Sequence, residues 1–89
     1  PAATARLDPP VPDPFVARAT VRFALPSAAR VRVELLDVQG RIVRRLANGT
    51  FPAGRHDLVI EGAELPAGLY FVRLVTREHT EVRKVVRVR

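Results

Sequence analysis

The stretch Leu65-Pro66-Ala67-Gly68-Leu69-Tyr70-Phe71-Val72-Arg73-Leu74 decides the fold of this chain. It begins with Pro-Ala-Gly, in which proline sets φ at the first corner of a tight turn and glycine suits the last position. Large apolar side chains then recur at every second position, which is the period of a strand with one buried face. An earlier copy, Pro52-Ala53-Gly54, precedes Arg55-His56-Asp57-Leu58-Val59-Ile60 in the same way. Each copy therefore predicts a strand that starts directly after a turn.

Turn signals divide the rest of the chain into similar runs, at a spacing of roughly ten residues. No window has the period of a helix. The turns outside the two Pro-Ala-Gly copies are Pro26-Ser27, Asp37-Val38-Gln39-Gly40, Ala47-Asn48-Gly49 and Arg77-Glu78-His79-Thr80. The predicted strands are Thr20–Leu25, Arg30–Leu36, Ile42–Ala47, Arg55–Glu61, Leu69–Thr76 and Glu81–Val88. We therefore predict an all-β fold, an immunoglobulin-like antiparallel β-sandwich of six or seven strands.

The phase of each run indicates which side chains share a face of the sheet. The run from Ile42 is irregular because Val43 and Leu46 are out of phase, which predicts a bulge or an edge strand. In the last run Val86 and Val88 alternate with Arg83, Val85 and Arg87. In the other runs the shared faces are Val21, Phe23 and Leu25; Val31, Val33 and Leu35; His56, Leu58 and Ile60; and Tyr70, Val72 and Leu74.

Prolines are concentrated near the start of the chain, at Pro1, Pro9, Pro10, Pro12 and Pro14. Proline favours extended backbone and excludes helix. We therefore expect residues 1–10 to be a proline-rich linker and residues 11–89 to be the folded domain. The part from Arg6 to Val11 is still able to add a short edge strand, because edge positions tolerate proline.

Composition limits the classes of function. The 89 residues carry a net charge of +6, with fifteen basic and nine acidic side chains, and contain no cysteine. A basic chain is typical of nucleic-acid binding, but most of the arginines alternate with apolar residues, as in Val21-Arg22-Phe23, where a solvated sheet face puts them. No apolar run approaches the ~20 residues of a membrane span. We therefore expect neither a nucleic-acid partner nor insertion into lipid.

The residue types that carry catalysis are sparse. Ser27 lies in a turn and has no histidine nearby in sequence to act as its base. His56 falls on the apolar phase of its strand, where a hydrogen-bonded and partly buried histidine is expected, and His79 belongs to a hairpin tip. Neither histidine has a sequence neighbour at zinc-binding spacing. We expect a non-enzymatic domain without cofactor or metal.

The turn motifs have a structural interpretation. Asp37 precedes Gly40 by three residues and is expected to accept a backbone hydrogen bond within that turn. Gly54 ends the first Pro-Ala-Gly turn. A small β-sandwich of this kind also suits a carbohydrate-binding module or a spacer in an extracellular enzyme, although exposed aromatics usually stack on the sugar and the chain has no tryptophan.

Several motifs occur in a specific order along the chain. They are Pro14-Phe15, Thr20-Val21-Arg22-Phe23-Ala24-Leu25-Pro26, Val31-Arg32-Val33-Glu34-Leu35-Leu36-Asp37-Val38-Gln39-Gly40-Arg41-Ile42-Val43, Leu46, the two Pro-Ala-Gly stretches, and Arg83-Lys84-Val85-Val86-Arg87-Val88-Arg89. As an ordered set they make residues 11–89 resemble the type A C-terminal sorting domain of the type IX secretion system. The Asp-x-x-Gly-Arg and Gly-x-Tyr patterns also occur in the flagellar hook-capping immunoglobulin-like domain, so an assembly or spacer role stays open.

The resemblance implies a function and a set of partners. The family's domain is a non-catalytic signal that directs a larger secreted protein of Bacteroidetes-like bacteria across the outer membrane. Its partners are the type IX secretion translocon, a sortase-like peptidase that typically removes the domain, and the upstream cargo of the same polypeptide. The implied location is export through the periplasm to the cell surface or the extracellular medium.

The resemblance also implies candidate recognition residues. The family's glycine-then-aromatic motif falls on Gly68 and Tyr70, and its basic terminal strand falls on the last run. The candidates are Pro66, Gly68, Tyr70, Arg83, Lys84, Val85, Val86 and Val88. A purely structural role is an equal alternative. Gly68 is then a turn glycine, Tyr70 is a core tyrosine, and Arg83 and Lys84 are exposed charges on the final strand. The chain departs from the family at Val11-Pro12-Asp13-Pro14-Phe15-Val16, where members commonly have an aromatic residue followed by Pro-Asn-Pro-Phe-Asn.

Overall fold

The computed structural model describes residues 4–89, and they form two antiparallel sheets that pack face to face. The first sheet has the order β1-β2-β5 and the second the order β4-β3-β6-β7. The strands are β1 (Arg6–Leu7), β2 (Arg18–Leu25), β3 (Ala29–Leu36), β4 (Ile42–Phe51), β5 (Gly54–Glu61), β6 (Gly68–Val75) and β7 (Thr80–Arg87). The prediction of an all-β, immunoglobulin-like sandwich is confirmed. Among the same residues there is no helix with the length and apolarity that crossing a membrane requires.

The core lies between the two sheets, where alternate side chains of every long strand meet. The predicted faces of β2, β3 and β6 are confirmed as the buried ones, and Ile60 of β5 is buried with them. The largest fully buried side chains are Phe15, Phe23, Leu7, Leu35, Ile60, Leu74, Val21, Val31, Val33, Val72 and Val85.

The side of β7 that faces the core is not the side that carries Val86 and Val88. Val85 is fully buried, whereas Val86 is half-buried and Val88 is exposed. Arg83 shares the inward side of Val85, and its Nε donates a hydrogen bond of 2.9 Å to the carbonyl oxygen of Leu7. An arginine is tolerated there because β7 is an edge strand, so the guanidinium leaves the core and meets the backbone of the opposite sheet.

The turn predicted at Ala47-Asn48-Gly49 is wrong, because β4 continues through it to Phe51. Asn48 pairs with Arg32 across the ladder, and its Oδ1 accepts a hydrogen bond of 3.2 Å from Arg30. The partner strand β3 thus overrides the local preference of Asn-Gly for a turn.

The irregularity predicted for β4 is confirmed. The register with β3 shifts twice, between Val33 and Glu34 and again between Leu35 and Leu36. β4 is also the edge strand of its sheet. Bulges of this kind are frequent at sheet edges, where the extra residue increases the local twist.

The proline-rich start packs against the sandwich from Ala5 onward. Ala5 and Leu7 are buried in the core, and β1 is the short edge strand that the sequence allows, paired with β2. The backbones of Val11 and Thr20 then exchange two hydrogen bonds, of 3.0 and 2.7 Å. Residues 1–3 of the predicted linker lie outside the described residues.

Beyond Val11 the chain crosses from the first sheet to the second. The peptide bonds before Pro12 and Pro14 are cis. Phe15 then pairs with the end of β7, donating to the carbonyl of Val86 at 2.9 Å and accepting from the amide of Val88 at 2.8 Å. The N-terminal segment therefore covers part of the open edges of both β2 and β7, which protects them from unwanted strand pairing.

Candidate functional site

The turn between β3 and β4, residues 37–40, is held by the carboxylate of Asp37. Asp37 Oδ1 accepts hydrogen bonds from the amides of Gln39 and Arg41 at 2.9 and 3.0 Å, and Oδ2 accepts from Arg41 Nε at 2.8 Å. These bonds lower the pKa of Asp37, and the bond from the Arg41 amide is the largest of the causes. Gly40 has φ +83°, a left-handed conformation that suits glycine. The expectation that Asp37 accepts a backbone hydrogen bond here is confirmed.

The start of β6, residues 66–70, forms a second rigid turn, which we call the corner. The Tyr70 hydroxyl donates to the carbonyl oxygen of Pro66, and its ring enters the core with 6% of the residue exposed. Gly68, between them, has φ +155°. A tyrosine that bonds back to the backbone a few residues upstream is the tyrosine corner of immunoglobulin-like sandwiches.

The first Pro-Ala-Gly copy is built in the same way. His56 Nε2 lies 2.8 Å from the carbonyl oxygen of Pro52, and the ring stacks on Phe23 with centroids 5.1 Å apart. Gly54 starts β5 with φ +113°. The expectation that His56 is hydrogen-bonded and partly buried is confirmed.

A hollow of about 580 Å³ lies between the 37–40 turn and the corner. Val38 and Arg41 line it from the turn, and Pro66 and Leu69 line it from the corner. Arg44 also lines it, and its guanidinium donates to the carbonyl oxygen of Ala63 at 3.2 Å. The two turn motifs of the sequence therefore meet around one concave surface, which only the folded chain creates.

An apolar surface continues from the hollow over the outer side of the four-stranded sheet. Leu69 and Val86 are paired there across β6 and β7. In the next row the register aligns Ile42, Leu36, Phe71 and Lys84 across all four strands. Ile42 and Leu69 are exposed, and Leu36 is buried beneath them. We call this surface the apolar end; Lys84 is the one charge in these two rows.

The next row of side chains on the same face contains a buried acid, Glu34. Glu34 is 2% exposed, and its carboxylate lies 2.8 Å from Arg73, 3.3 Å from Arg32 and 3.6 Å from Arg45. The hydrogen bond from Arg73 is the largest cause that lowers the pKa of Glu34. Sequence reasoning missed this cluster, because the three arginines come from three different strands and only the strand register brings them together.

The structure separates the sequence-predicted recognition residues into two groups. Tyr70 and Val85 are buried, and Arg83 points inward to Leu7. The residues at the surface are those at the corner and those on the outer side of β7: Pro66, Gly68, Lys84, Val86 and Val88. Val86 brings the two surface sets together, since it pairs with Leu69 of the corner.

The other titratable and aromatic side chains of residues 4–89 are the remaining candidates from the sequence. Among residues 4–89 no group of three or more histidine, aspartate and glutamate side chains lies close enough to hold a metal ion. His79 pairs with Glu81 at 3.0 Å. Phe15 and Phe23 are fully buried, Phe51 packs edge-on against Phe23, and Phe71 is half-buried. The aromatic rings therefore form no exposed strip of the kind that stacks on sugars.

Comparison with known proteins identifies the family. A search of the curated proteins found no match. The sequence model of the family described as "Secretion system C-terminal sorting domain", Por_Secre_tail, matches residues 11–88, which is nearly the whole chain. The match includes both turn motifs and the strand β7. The chain therefore belongs to the secretion system C-terminal sorting domains, the non-catalytic signals for export by the type IX secretion system across the outer membrane.

Proposed function

We propose that the folded sandwich is itself the form of the signal that the type IX translocon recognises, at the end that carries the hollow. The observation that carries this proposal is the position of the 37–40 turn and the corner on either side of one hollow. Both turns are fixed by side-chain hydrogen bonds, so the surface has one shape before a partner arrives. Preorganisation of this kind lowers the entropic cost of binding.

The exposed candidates supply the direct contacts. Pro66 and Gly68 present the rim of the hollow, and Lys84, Val86 and Val88 present the adjoining outer side of β7. The buried candidates Tyr70 and Val85 act indirectly by holding the corner and β7 in place, and Arg83 acts by joining β7 to β1.

The domain serves as an address for cargo in the same polypeptide and performs no reaction itself. Residues 11–89 form the sorting domain, and residues 5–10 pack against it through the buried Ala5 and Leu7. The link to the cargo therefore ends before Ala5. A sortase-like peptidase removes the domain after export, and the cargo reaches the cell surface or the medium.

A secretion assay tests the proposal. Residues 1–89 are fused to the C-terminus of a periplasmic reporter in a type IX host, with a native sorting domain as positive control and the untagged reporter as negative control. We expect the reporter at the surface or in the medium, shortened by the length of the domain. A reporter that stays in the periplasm while the native domain is exported overturns the proposal.

Matched variants locate the recognised surface. Val86→Asp places a charge beside the corner, whereas Val59→Asp places the same charge on the exposed outer side of the other sheet. We expect export to fall for Val86→Asp alone, with both variants folded. Equal export of the two variants is evidence against recognition at this end. Specific retention on insoluble polysaccharide favours the carbohydrate-binding module, and export that is unchanged on deletion of the domain favours a spacer.

A further inference from the structure

The outer faces of the two sheets differ in how their charges are paired. On the three-stranded sheet every arginine except Arg55 has an acidic partner. Arg22 meets Asp57 through two hydrogen bonds, of 2.7 and 3.1 Å, and Arg18 lies 3.8 Å from Glu61. Such pairs leave that face with little excess charge.

The outer face of the four-stranded sheet carries mostly unmatched positive charge. The register places Arg30, Arg32, Arg45, Arg73 and Lys84 there, against the single acid Glu34. Glu34 is shared by three of these arginines and is covered by them. The guanidinium groups of Arg32 and Arg45 nevertheless stay about half or more exposed, so the face presents a positive field to solvent.

A small apolar hollow lies beside these cations. Its volume is about 220 Å³, and its apolar lining is Leu36, Val38, Phe71 and Val82. Arg73, Gly40 and Asp37 complete the lining, and the carboxylate of Asp37 is paired with Arg41 at 2.8 Å. Val38 is 65% and Val82 47% exposed, so the apolar lining is open to a partner. An apolar centre with a charged surround is the composition of a protein–protein interface.

We propose that the outer face of the four-stranded sheet docks an acidic protein surface that places an apolar side chain in the hollow between Val38, Phe71 and Val82. The inference rests on the proposed function, because it names the chemistry of the partner that the sorting domain meets. Opposite charge guides the approach of the partner and sets its orientation, while the small hollow of about 220 Å³ supplies the apolar contact. The opposite face attracts the same partner less, because most of its arginines are paired with acids.

Charge reversal in the secretion assay provides the first measurement. The test variant is Arg30→Glu with Lys84→Glu, since neither residue forms an ion pair within residues 4–89 and neither covers Glu34. The matched control is Arg18→Glu with Arg55→Glu, which changes the net charge equally on the outer face of the other sheet and costs only the exposed 3.8 Å pair of Arg18 with Glu61. We expect the rate of export to fall roughly tenfold for the test variant only, the lower end of electrostatic steering effects.

Photocrosslinking identifies what occupies the face. A photoreactive amino acid replaces Asn48 on this face or Val59 on the opposite face, in the reporter fusion within the host. We expect crosslinks from position 48 to an outer-membrane protein, within a peptide rich in Asp and Glu. Crosslinks from position 48 to lipid or polysaccharide alone, or crosslinking no stronger than from position 59, overturn the inference.

The two proposals fail in distinguishable ways. If the unaltered domain is not exported while the native control is, the proposed function fails. If the unaltered domain is exported and the two charge-reversed variants are exported at the same rate, only the acidic partner is refuted. Thermal unfolding of both double variants shows that each is folded, so that a loss of export reports on the surface.

Discussion

The hydroxyl of Tyr70 donates a hydrogen bond to the carbonyl oxygen of Pro66, four residues upstream, and His56 stands in the same relation to Pro52. In both copies of Pro-Ala-Gly the carbonyl oxygen of the proline therefore accepts a hydrogen bond from an aromatic side chain near the start of the following strand. The ring of Tyr70 enters the core, and that of His56 packs on Phe23. The sequence repeat thus encodes one local device that starts β5 and β6 in the same way.

Replacing Tyr70 by Phe tests the second copy of this device. Tyr70→Phe keeps the ring and removes the hydroxyl, which leaves the carbonyl of Pro66 without its partner in a partly buried site. We expect the free energy of unfolding to fall by about 1–2 kcal/mol. The measurement is urea unfolding with an unchanged m-value, which shows that stability rather than compactness has changed.

The first copy provides the comparison. His56→Phe removes the corresponding bond to Pro52, where the acceptor is exposed and water replaces the lost donor. We therefore expect a smaller loss of stability than for Tyr70→Phe. An equal or larger loss contradicts the view that burial of the Pro66 carbonyl makes the second corner the stronger one.

Gly68 and Gly49 form a matched pair for backbone strain. A Cβ added at either position meets no heavy atom within 4 Å, and they differ in that Gly68 has φ +155°. Gly68→Ala should therefore destabilise the fold by about 1–3 kcal/mol through strain alone. Gly49→Ala should leave stability unchanged or raise it slightly, since glycine inside a strand is unfavourable. Equal midpoints of thermal unfolding for the two variants contradict this expectation.

Glu34 makes stability depend on pH. Its folded pKa lies below the ordinary value of 4.5, so the ionised form contributes stability above pH 4.5 that is lost as the pH falls through the folded pKa. At pH 7 we expect Glu34→Gln to be less stable by about 1–2 kcal/mol, a modest value because the arginine partners are partly exposed. Urea unfolding from pH 7 to pH 3 should show the difference narrowing as the wild type becomes protonated.

An exposed acid provides the control for Glu34. Glu78→Gln removes a carboxylate with no ion pair among the described residues, and we expect its stability to follow the wild type at each pH. A difference between wild type and Glu34→Gln that stays constant or widens toward pH 3 contradicts the assigned role of the ionised carboxylate.

Asp13 explains how the chain tolerates a departure from its family. Asp13 Oδ1 accepts a hydrogen bond of 2.9 Å from the amide of Val86, and the side-chain carbonyl of an asparagine offers the same acceptor. We expect Asp13→Asn to leave the hydrogen exchange of the Val86 amide unchanged. Asp13→Ala should accelerate it about fivefold, the factor for ~1 kcal/mol. Equal exchange in the two variants, measured by NMR, contradicts this role.

Local sequence patterns were sufficient to predict the structure where a residue controls the conformation of its own segment of backbone. The turn at Asp37 and Gly40 follows from hydrogen bonds between near neighbours. The inward phase of Val33 and Val72 follows from alternation in strands with one buried face. Where two faces compete, the local pattern fails: Val85 is buried in place of Val86 because the register with β6 pairs Val85 with the buried Tyr70.

The sequence by itself determined the strands, the positions of most turns, the all-β class and the family, because these depend on period, on φ and on an ordered set of short motifs. The extension of β4 through Asn48, the cluster around Glu34 and the hollow between the 37–40 turn and the corner were decided only by the tertiary structure. Each brings together residues from different strands, and strand register is set by the packing of the whole sheet. The Pro-Ala-Gly repeat predicted where two strands start. Only the tertiary structure placed the second of these starts beside the surface where we propose that the signal is recognised.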